Sequence, residues 1–137
     1  MPANIKVNPL TNTNLREKRS HAMQLFVLVL NHTEYLELIL EGMLQEGIGG
    51  GTILDSSGMM RELDTDENND LPMFGLLRHV YNPERKRSKT MFAVMKDEKI
   101  PKMMAIVNRV TGGLHKPDTG VAFALPLSFV EGVEKKA

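Results

Sequence analysis

The chain has no cysteine and no tryptophan among its 137 residues. Without cysteine there can be no disulfide framework, thiolate metal site or cysteine nucleophile, and the composition fits a reducing compartment. Neither sign of charge is in excess, because 17 basic residues balance 17 acidic ones. A nucleic-acid binder that relies on phosphate contacts needs a basic excess or a basic face, so the composition argues against that class.

Long apolar runs are also missing. The longest, Leu25–Leu30, is far shorter than the roughly 20 residues that a membrane-spanning helix requires. The first residues contain no apolar stretch of the kind that a secretory signal carries. We therefore expect a soluble, cytoplasmic protein with one domain and no membrane span.

Signatures of common enzymes and metal sites are scarce in the sequence. The four histidines are scattered and have no carboxylate at metal-ligand spacing. There is no nucleophile elbow, no P-loop and no dinucleotide-binding glycine motif. The run Gly49-Gly50-Gly51 leads into a strand, so we interpret it as a tight turn. We predict no catalytic residue, no metal site and no enzymatic activity.

Apolar periodicity predicts four strands and two helices. LFVLVL (25–30), TILD (52–55), TMFAVM (90–95) and Val121–Leu125 have the composition of strands. Apolar residues at helical spacing predict one helix over 36–44, ended by Gly47, and a second from Ile100 to Val110. Thr33 and Asp97 are the expected N-caps.

This order of elements predicts an α+β, ferredoxin-like βαββαβ fold, with two helices on one face of a four-stranded antiparallel sheet. The other face also contains apolar residues, so it should pack against another surface, and we expect a homotrimer. We assign residues 1–22 to an N-terminal tail or arm and 23–137 to the domain.

A long connection, residues 61–89, lies between the second and third strands. Its first part is acidic and its last part is basic, with an apolar turn between them. Loops of this length in small domains are most often functional or disordered. We predict that the connection contacts a partner protein, with Phe74, Tyr81, Arg85 and Arg87 as candidate contact residues.

The segment TGGLHKPDTGVAFALP, residues 111–126, follows the second helix and leads into the last strand. Glycines that can adopt positive φ, together with one lysine, can hold an anion by backbone donors and charge. A plain helix-to-strand connection is the alternative. The candidate ligand-binding residues are Thr52, Asp55, Gly58, Thr111, Gly112, Gly113, Lys116 and Gly120.

These elements and motifs together resemble the PII signalling (nitrogen regulatory) superfamily over residues 23–133. The stretch 51–58 is similar to the family's second strand and T-loop base, and residues 61–89 occupy the T-loop position. Thr111-Gly112-Gly113 and 120–126 are similar to its B-loop and following strand. The resemblance implies a trimer that binds adenine nucleotides between subunits. The loop after Thr111 is longer than usual, Val121 replaces the usual lysine, and the family's C-loop arginine pair is missing, so this is a divergent member.

The leading hypothesis is therefore a trimeric regulatory protein. A small anionic ligand, with an adenine nucleotide as one candidate, would bind between subunits and change the 61–89 connection. Two alternatives stay open from the sequence: a CutA-like trimeric structural or tolerance protein without nucleotide sensing, and a weak nucleotide-processing enzyme.

Overall fold

The computed structural model describes residues 22–63 and 87–133. Within these ranges lie the strands β1 (Met23–Leu30), β2 (Thr52–Ser56), β3 (Ser88–Lys96) and β4 (Gly120–Pro126). The helices are α1 (Leu36–Gln45), a short α2 (Met59–Leu63) and α3 (Ile100–Thr111). Among these residues, no helix has both the length and the apolar content that crossing a membrane would require.

The four strands form one antiparallel sheet in the order β2-β3-β1-β4. The β1 strand is central: Phe26 lies opposite Ala93 of β3 and Ala124 of β4. Among the described strands, β2 pairs with β3 alone, with Thr52 opposite Phe92 and Ser56 opposite Ser88. The predicted α+β, ferredoxin-like βαββαβ fold is confirmed, and each predicted strand is present with ends extended by one or more residues.

The core lies between one sheet face and the helices α1 and α3. Phe26, Leu28 and Leu30 point into it from β1, and alternate residues of β3 lie beside them. Ile39 of α1 and Met103 of α3 are fully buried against this face. The periodicity of the two helices therefore predicted the correct sides, although Ile106, which was not predicted, is buried and Met104 is only partly so.

In the described part of the chain, no helix lies on the opposite sheet face, which is apolar across several strands. In β4, Val121, Phe123 and Leu125 are each about half exposed, at 51%, 46% and 50%. Phe92 lies in the same row as Phe123, because both are opposite Val27. The prediction of an apolar second face is confirmed.

Both predicted helix caps are wrong. Thr33 and Asp97 lie inside short 3-10 turns, Thr33–Tyr35 and Asp97–Lys99, which precede α1 and α3. Neither helix start has a side-chain cap hydrogen bond. The carboxylate of Asp97 instead accepts a hydrogen bond from Gln24 Nε2 at 2.6 Å, so it ties the start of α3 to β1. The expected stop at Gly47 is correct, since this residue has φ 73°.

The connection between β2 and β3 begins and ends earlier than predicted. It starts with the unpredicted helix α2, and Ser88 and Lys89 already belong to β3. The apolar turn and most charged residues of the connection lie outside the described residues. The assignment of residues 1–22 to a tail likewise remains a prediction, because residues 1–21 lie outside the described residues.

Candidate ligand-binding site

A glycine-rich loop connects α1 to β2. Gly47 ends the helix, and the next residue, Ile48, is buried, with its N–H donating to Met43 O at 2.8 Å. Ile48 thereby anchors the loop to the core. At Gly49 and Gly50 a side chain would meet no protein atom within 4 Å. The loop therefore leaves open space beside the start of β2.

This space is part of a cavity of about 620 Å³ at the end of the sheet where β1 and β2 begin. Its size lies within the range of about 300–1,000 Å³ that is typical of small-molecule sites. Phe92 and Val94 of β3 contribute apolar side chains to its lining, and Lys96 and Lys99 contribute cationic groups. The complete lining is Met23, Gly47, Ile48, Gly49, Gly50, Gly51, Thr52, Phe92, Val94, Met95, Lys96, Glu98, Lys99, Gly132 and Val133.

Thr52 is the predicted site residue that lines this cavity. The glycine run 49–51, which the sequence suggested was only a tight turn, forms one wall. The sequence signal that could have found it is the succession of three glycines directly before a threonine on an edge strand. Without side chains, the backbone can approach a ligand closely.

Asp55 lies near the other end of β2, away from this cavity. Its carboxylate accepts a hydrogen bond from Lys89 Nζ of β3 at 2.5 Å. This hydrogen bond, and next the charge of Lys89, lower the pKa of Asp55 below its ordinary value of 3.8. Asp55 also lines a second cavity of about 340 Å³ together with Ser56, Ser57, Arg61, Glu62 and Arg87. Gly58 follows Ser57 in the chain. Its carbonyl oxygen accepts a hydrogen bond from the backbone N–H of Glu62 in α2 at 3.1 Å.

Three hydroxyl groups are joined by hydrogen bonds beside Asp55. Thr90 Oγ1 donates to Ser56 Oγ at 2.7 Å, and Ser56 Oγ lies 2.7 Å from Ser88 Oγ. Ser88 is buried. Its hydroxyl therefore holds β2 to β3 in this conformation and is not presented to solvent.

At the start of the loop after α3, the two glycines adopt the positive φ angles that the sequence predicted. Gly112 ends the helix with φ 81°, and its N–H donates to Asn108 O at 2.9 Å. Gly113 N donates to Thr111 Oγ1 at 3.1 Å, and this hydroxyl donates to Val107 O at 2.7 Å. These groups close the helix end internally. In this conformation, the N–H groups of both glycines already have acceptors within the protein.

Lys116 and Gly120 lie further along the same loop. The Lys116 side chain curls back over Gly112, in the position that a Cβ there would occupy. Gly120 has φ 150° and packs directly against the carbonyl of Val29, so a side chain at this position would overlap the β1 backbone. Asp118 adopts a left-handed φ of 58° and accepts from Asn31 Nδ2 at 3.3 Å. The loop is therefore fixed to the end of β1.

Within one chain, the predicted site residues form separate groups. Thr52 lies in the same transverse row as Val27, whereas the 111–120 loop joins β4 in the row of Leu30, about 10 Å further along the strands and on the opposite edge of the sheet. Asp55 and Gly120 share a transverse row but lie on opposite edges, about 14 Å apart. A single protomer does not bring them into one cleft.

The candidate partner contacts Phe74, Tyr81 and Arg85 lie outside the described residues, whereas Arg87 is exposed beside Asp55. Two of the histidines are described. His32 pairs with Glu34 at 3.1 Å, and the His115 ring covers Gly113. Among residues 22–63 and 87–133, no group of three or more His, Asp or Glu side chains could hold a metal ion.

Comparison of the whole fold with solved structures places the chain among α+β proteins with this sheet and helix arrangement. Arabidopsis thaliana PII bound to citrate is similar with a TM-score of 0.55 and 17% sequence identity, covering 82% of each chain. A protein of unknown function from Pediococcus pentosaceus ATCC 25745 is similar with a TM-score of 0.53 and 11% identity, covering 82% of this chain and 98% of that one. The sequence matches no protein-family model and no curated protein.

The protein therefore has a PII-like fold, and its sequence is strongly divergent. At these identities the similarity establishes the fold, while function has to be argued from the site.

Proposed function

We propose that this protein is a PII-like regulatory protein, not an enzyme, that binds a small anionic ligand in the cavity beside Gly49–Thr52. The observation that carries the proposal is this 620 Å³ cavity, whose lining combines the glycine run 49–51, the apolar side chains of Phe92 and Val94, and two lysines. A flat, apolar group of a ligand fits between such walls, and the lysines favour a negative charge. An adenine nucleotide combines both features and is the first candidate ligand.

The PII-like fold supports the anionic character of the ligand. The Arabidopsis PII structure contains citrate, which is a small anion. In this chain, the rim of the cavity has two cations, Lys96 and Lys99, against one acid, Glu98. Lys99 Nζ also donates to Glu46 O at 3.0 Å, so it is held close to the glycine loop.

The proposed site is completed by a second copy of the chain. Within one protomer the 111–120 loop joins β4 on the edge of the sheet opposite β2, about 14 Å across the strands, and it does not line the cavity. In a homotrimer that packs through the apolar sheet face, Lys116 of one subunit would approach the cavity of its neighbour. Loss of its charge-assisted hydrogen bond should weaken an anionic ligand by about 1–3 kcal/mol.

In this proposal, the connection between β2 and β3 is the segment that transmits the ligand-bound state to a partner protein. It leaves the sheet beside Asp55 and Arg87, at one end of the strand that begins at the cavity. A ligand that shifts β2 would therefore act directly on the base of this connection. Its residues Phe74, Tyr81, Arg85 and Arg87 would then contact a partner protein.

Titration calorimetry on the purified full-length protein with ATP, ADP, AMP and citrate tests the proposal. We expect saturable binding of at least one of these, which Gly50→Leu abolishes because the new side chain enters open space in the cavity. Ala105→Leu, at an exposed position on α3, is the matched control and should bind normally. If none of the four compounds binds, or if Gly50→Leu leaves binding unchanged, the proposed site is wrong.

Subunit mixing tests the shared site. Gly50→Leu and Lys116→Ala homo-oligomers should each bind poorly. After the two variants are unfolded together and refolded, mixed oligomers should regain sites that combine an intact cavity with an intact Lys116. Binding that stays absent after mixing would contradict a site formed between subunits, while leaving the cavity itself intact as a proposal.

A further inference from the structure

A second apolar depression lies on the helix side of the molecule, between α1 and the outer edge of β2. We call it the α1–β2 groove. It is lined by Leu40, Met43, Leu44, Ile48, Ile53 and the glycines 49–51. Its volume of about 220 Å³ is below the usual range of about 300–1,000 Å³ for small-molecule sites. It is better matched to apolar side chains of another protein segment.

Large apolar side chains around the groove are exposed to an unusual degree. Leu44 is 69% exposed and Ile53 is 39% exposed, although both belong to regular elements next to the core. Contiguous exposed apolar surface with a polar border is typical of interaction sites. In the described part of the chain, β2 has no strand on its outer side, so the groove is also open laterally.

The border of the groove is acidic. Glu37 and Glu41 occupy the same face of α1 as Leu40 and Leu44, because these positions are separated by three, four and seven residues. Glu46 follows the helix, and α1 itself contains no basic residue.

Basic groups near α1 are directed elsewhere. Lys99 Nζ donates to the Glu46 carbonyl, just beyond the C-terminal end of α1, and not to a carboxylate of the groove border. The Arg109 guanidinium lies near Gly42, on the side that faces α3. Asp55, at the end of β2, is already paired with Lys89. The carboxylates of Glu37 and Glu41 are both exposed beside the groove.

We propose that the α1–β2 groove binds a basic amphipathic segment of a partner protein. An apolar side chain of that segment would enter between Leu44 and Ile53, and its lysine or arginine residues would lie against Glu37 and Glu41. Apolar burial supplies the affinity, and the complementary charge selects the partner and speeds association. This surface is on the helix side of the sheet, opposite the apolar face, and it shares Ile48 and the glycines 49–51 with the cavity proposed above for the ligand.

Fluorescence anisotropy with labelled peptides tests this inference on the full-length protein. The probe is an amphipathic Leu/Lys peptide of about 14 residues, some four helical turns, and its comparison is the same peptide with Glu in place of Lys. We expect the Lys peptide to bind at least about tenfold more tightly, with a difference that shrinks as salt is raised.

Three variants locate the binding. Leu44→Ser should weaken the Lys peptide by about tenfold or more, as for loss of an apolar anchor, and Glu41→Lys should remove its advantage over the Glu peptide. Leu38→Ser is the matched control, because Leu38 is 53% exposed on the same helix but lies outside the groove.

Equal binding of the two peptides, or of wild type and Leu44→Ser, would overturn the proposal. Two further measurements on the free protein identify other occupants. If Leu44→Ser reduces self-association in sedimentation velocity, the groove contacts a second copy of the chain. If it instead lowers the melting temperature by several degrees, another part of the same chain already fills the groove. Either result would replace the partner segment as the occupant.

Discussion

Gly42 shows how one residue without a side chain sets the spacing of the two large helices. It is buried on the side of α1 that faces α3, and a Cβ at this position would lie 2.7 Å from Ile106 Cγ2. The Arg109 guanidinium is 3.0 Å from the same point. The close approach of α1 and α3 therefore depends on the glycine, even though glycine is a poor helix former.

We predict that Gly42→Ala destabilises the protein, by up to about 2 kcal/mol. The helix gains about 1 kcal/mol in propensity, but overpacking a tight contact typically costs about 1–3 kcal/mol. Urea unfolding of the two proteins measures the difference. Gly58→Ala is the control, because a Cβ there meets no atom within 4 Å, and it should change stability by no more than about 0.5 kcal/mol. A stabilised Gly42→Ala variant would mean that α1 and α3 are further apart.

At the scale of elements, β2 is the least secured part of the sheet. It is five residues long, lies at an edge and pairs with one neighbour, β3. Side chains add to that pairing: the Asp55–Lys89 ion pair and the hydroxyl row of Ser56, Ser88 and Thr90 all bridge the two strands. Since β2 begins at the ligand cavity and ends at the long connection, any loosening of this pairing would affect both.

The ion pair predicts a pH dependence of stability with a definite sign. The pKa of Asp55 is lowered in the folded state, chiefly by its hydrogen bond to Lys89. The contribution of the pair is therefore present above the ordinary pKa of 3.8 and is lost as the pH falls through the lower folded-state value. Because both side chains are partly exposed to solvent, the effect is small.

We expect Asp55→Asn to shift the urea midpoint downward at about pH 6, and this shift should shrink as the pH falls through the lowered folded-state pKa of Asp55, because wild type then becomes protonated too. Lys89→Met should show the same pattern, and combining the two substitutions should add nothing further at any pH in this range. A difference between wild type and Asp55→Asn that persists undiminished as the pH falls would show that the carboxylate charge is not what stabilises the pair.

At the scale of the whole molecule, the sheet has two apolar faces, and among residues 22–63 and 87–133 helices cover one of them. Phe92, Phe123 and Leu125 leave large apolar surface on the uncovered side. Such a surface is larger and more continuous than the scattered apolar residues of an ordinary monomer surface. Association through this face would bury it, and the proposed ligand site also requires a second copy.

We predict that the protein is a homotrimer and that Phe123→Glu dissociates it, since a charge buried without a partner in an apolar interface costs at least about 2 kcal/mol per contact. Light scattering at micromolar concentration measures the mass. Phe129→Glu is the matched control, because Phe129 is 77% exposed but lies beyond the end of β4, and it should leave the mass unchanged. A stable monomer for wild type would refute the trimer.

The sequence by itself determined the elements that depend on local periodicity. LFVLVL is apolar at every position and TMFAVM at every position except Thr90, which predicted central strands with two apolar faces. The spacing of Ile39, Met43, Met103 and Val107 predicted the buried sides of the helices. Gly112 could be identified as a helix end because positive φ at that position requires glycine. These features follow from neighbours in the chain, so no tertiary contact was needed to infer them.

Only the tertiary structure decided which distant residues share a surface. Thr52 and Asp55 are three positions apart, yet one lines the ligand cavity and the other pairs with Lys89 at the far end of the strand. Asp97 resembled a helix cap in sequence but contacts Gln24, which is distant in the chain. Likewise, Leu44 fits the apolar period of α1 but remains exposed, because β2 is the edge strand there and no further element of the described residues covers it. Strand order and register set these positions, and neither is encoded in the local spacing of residues.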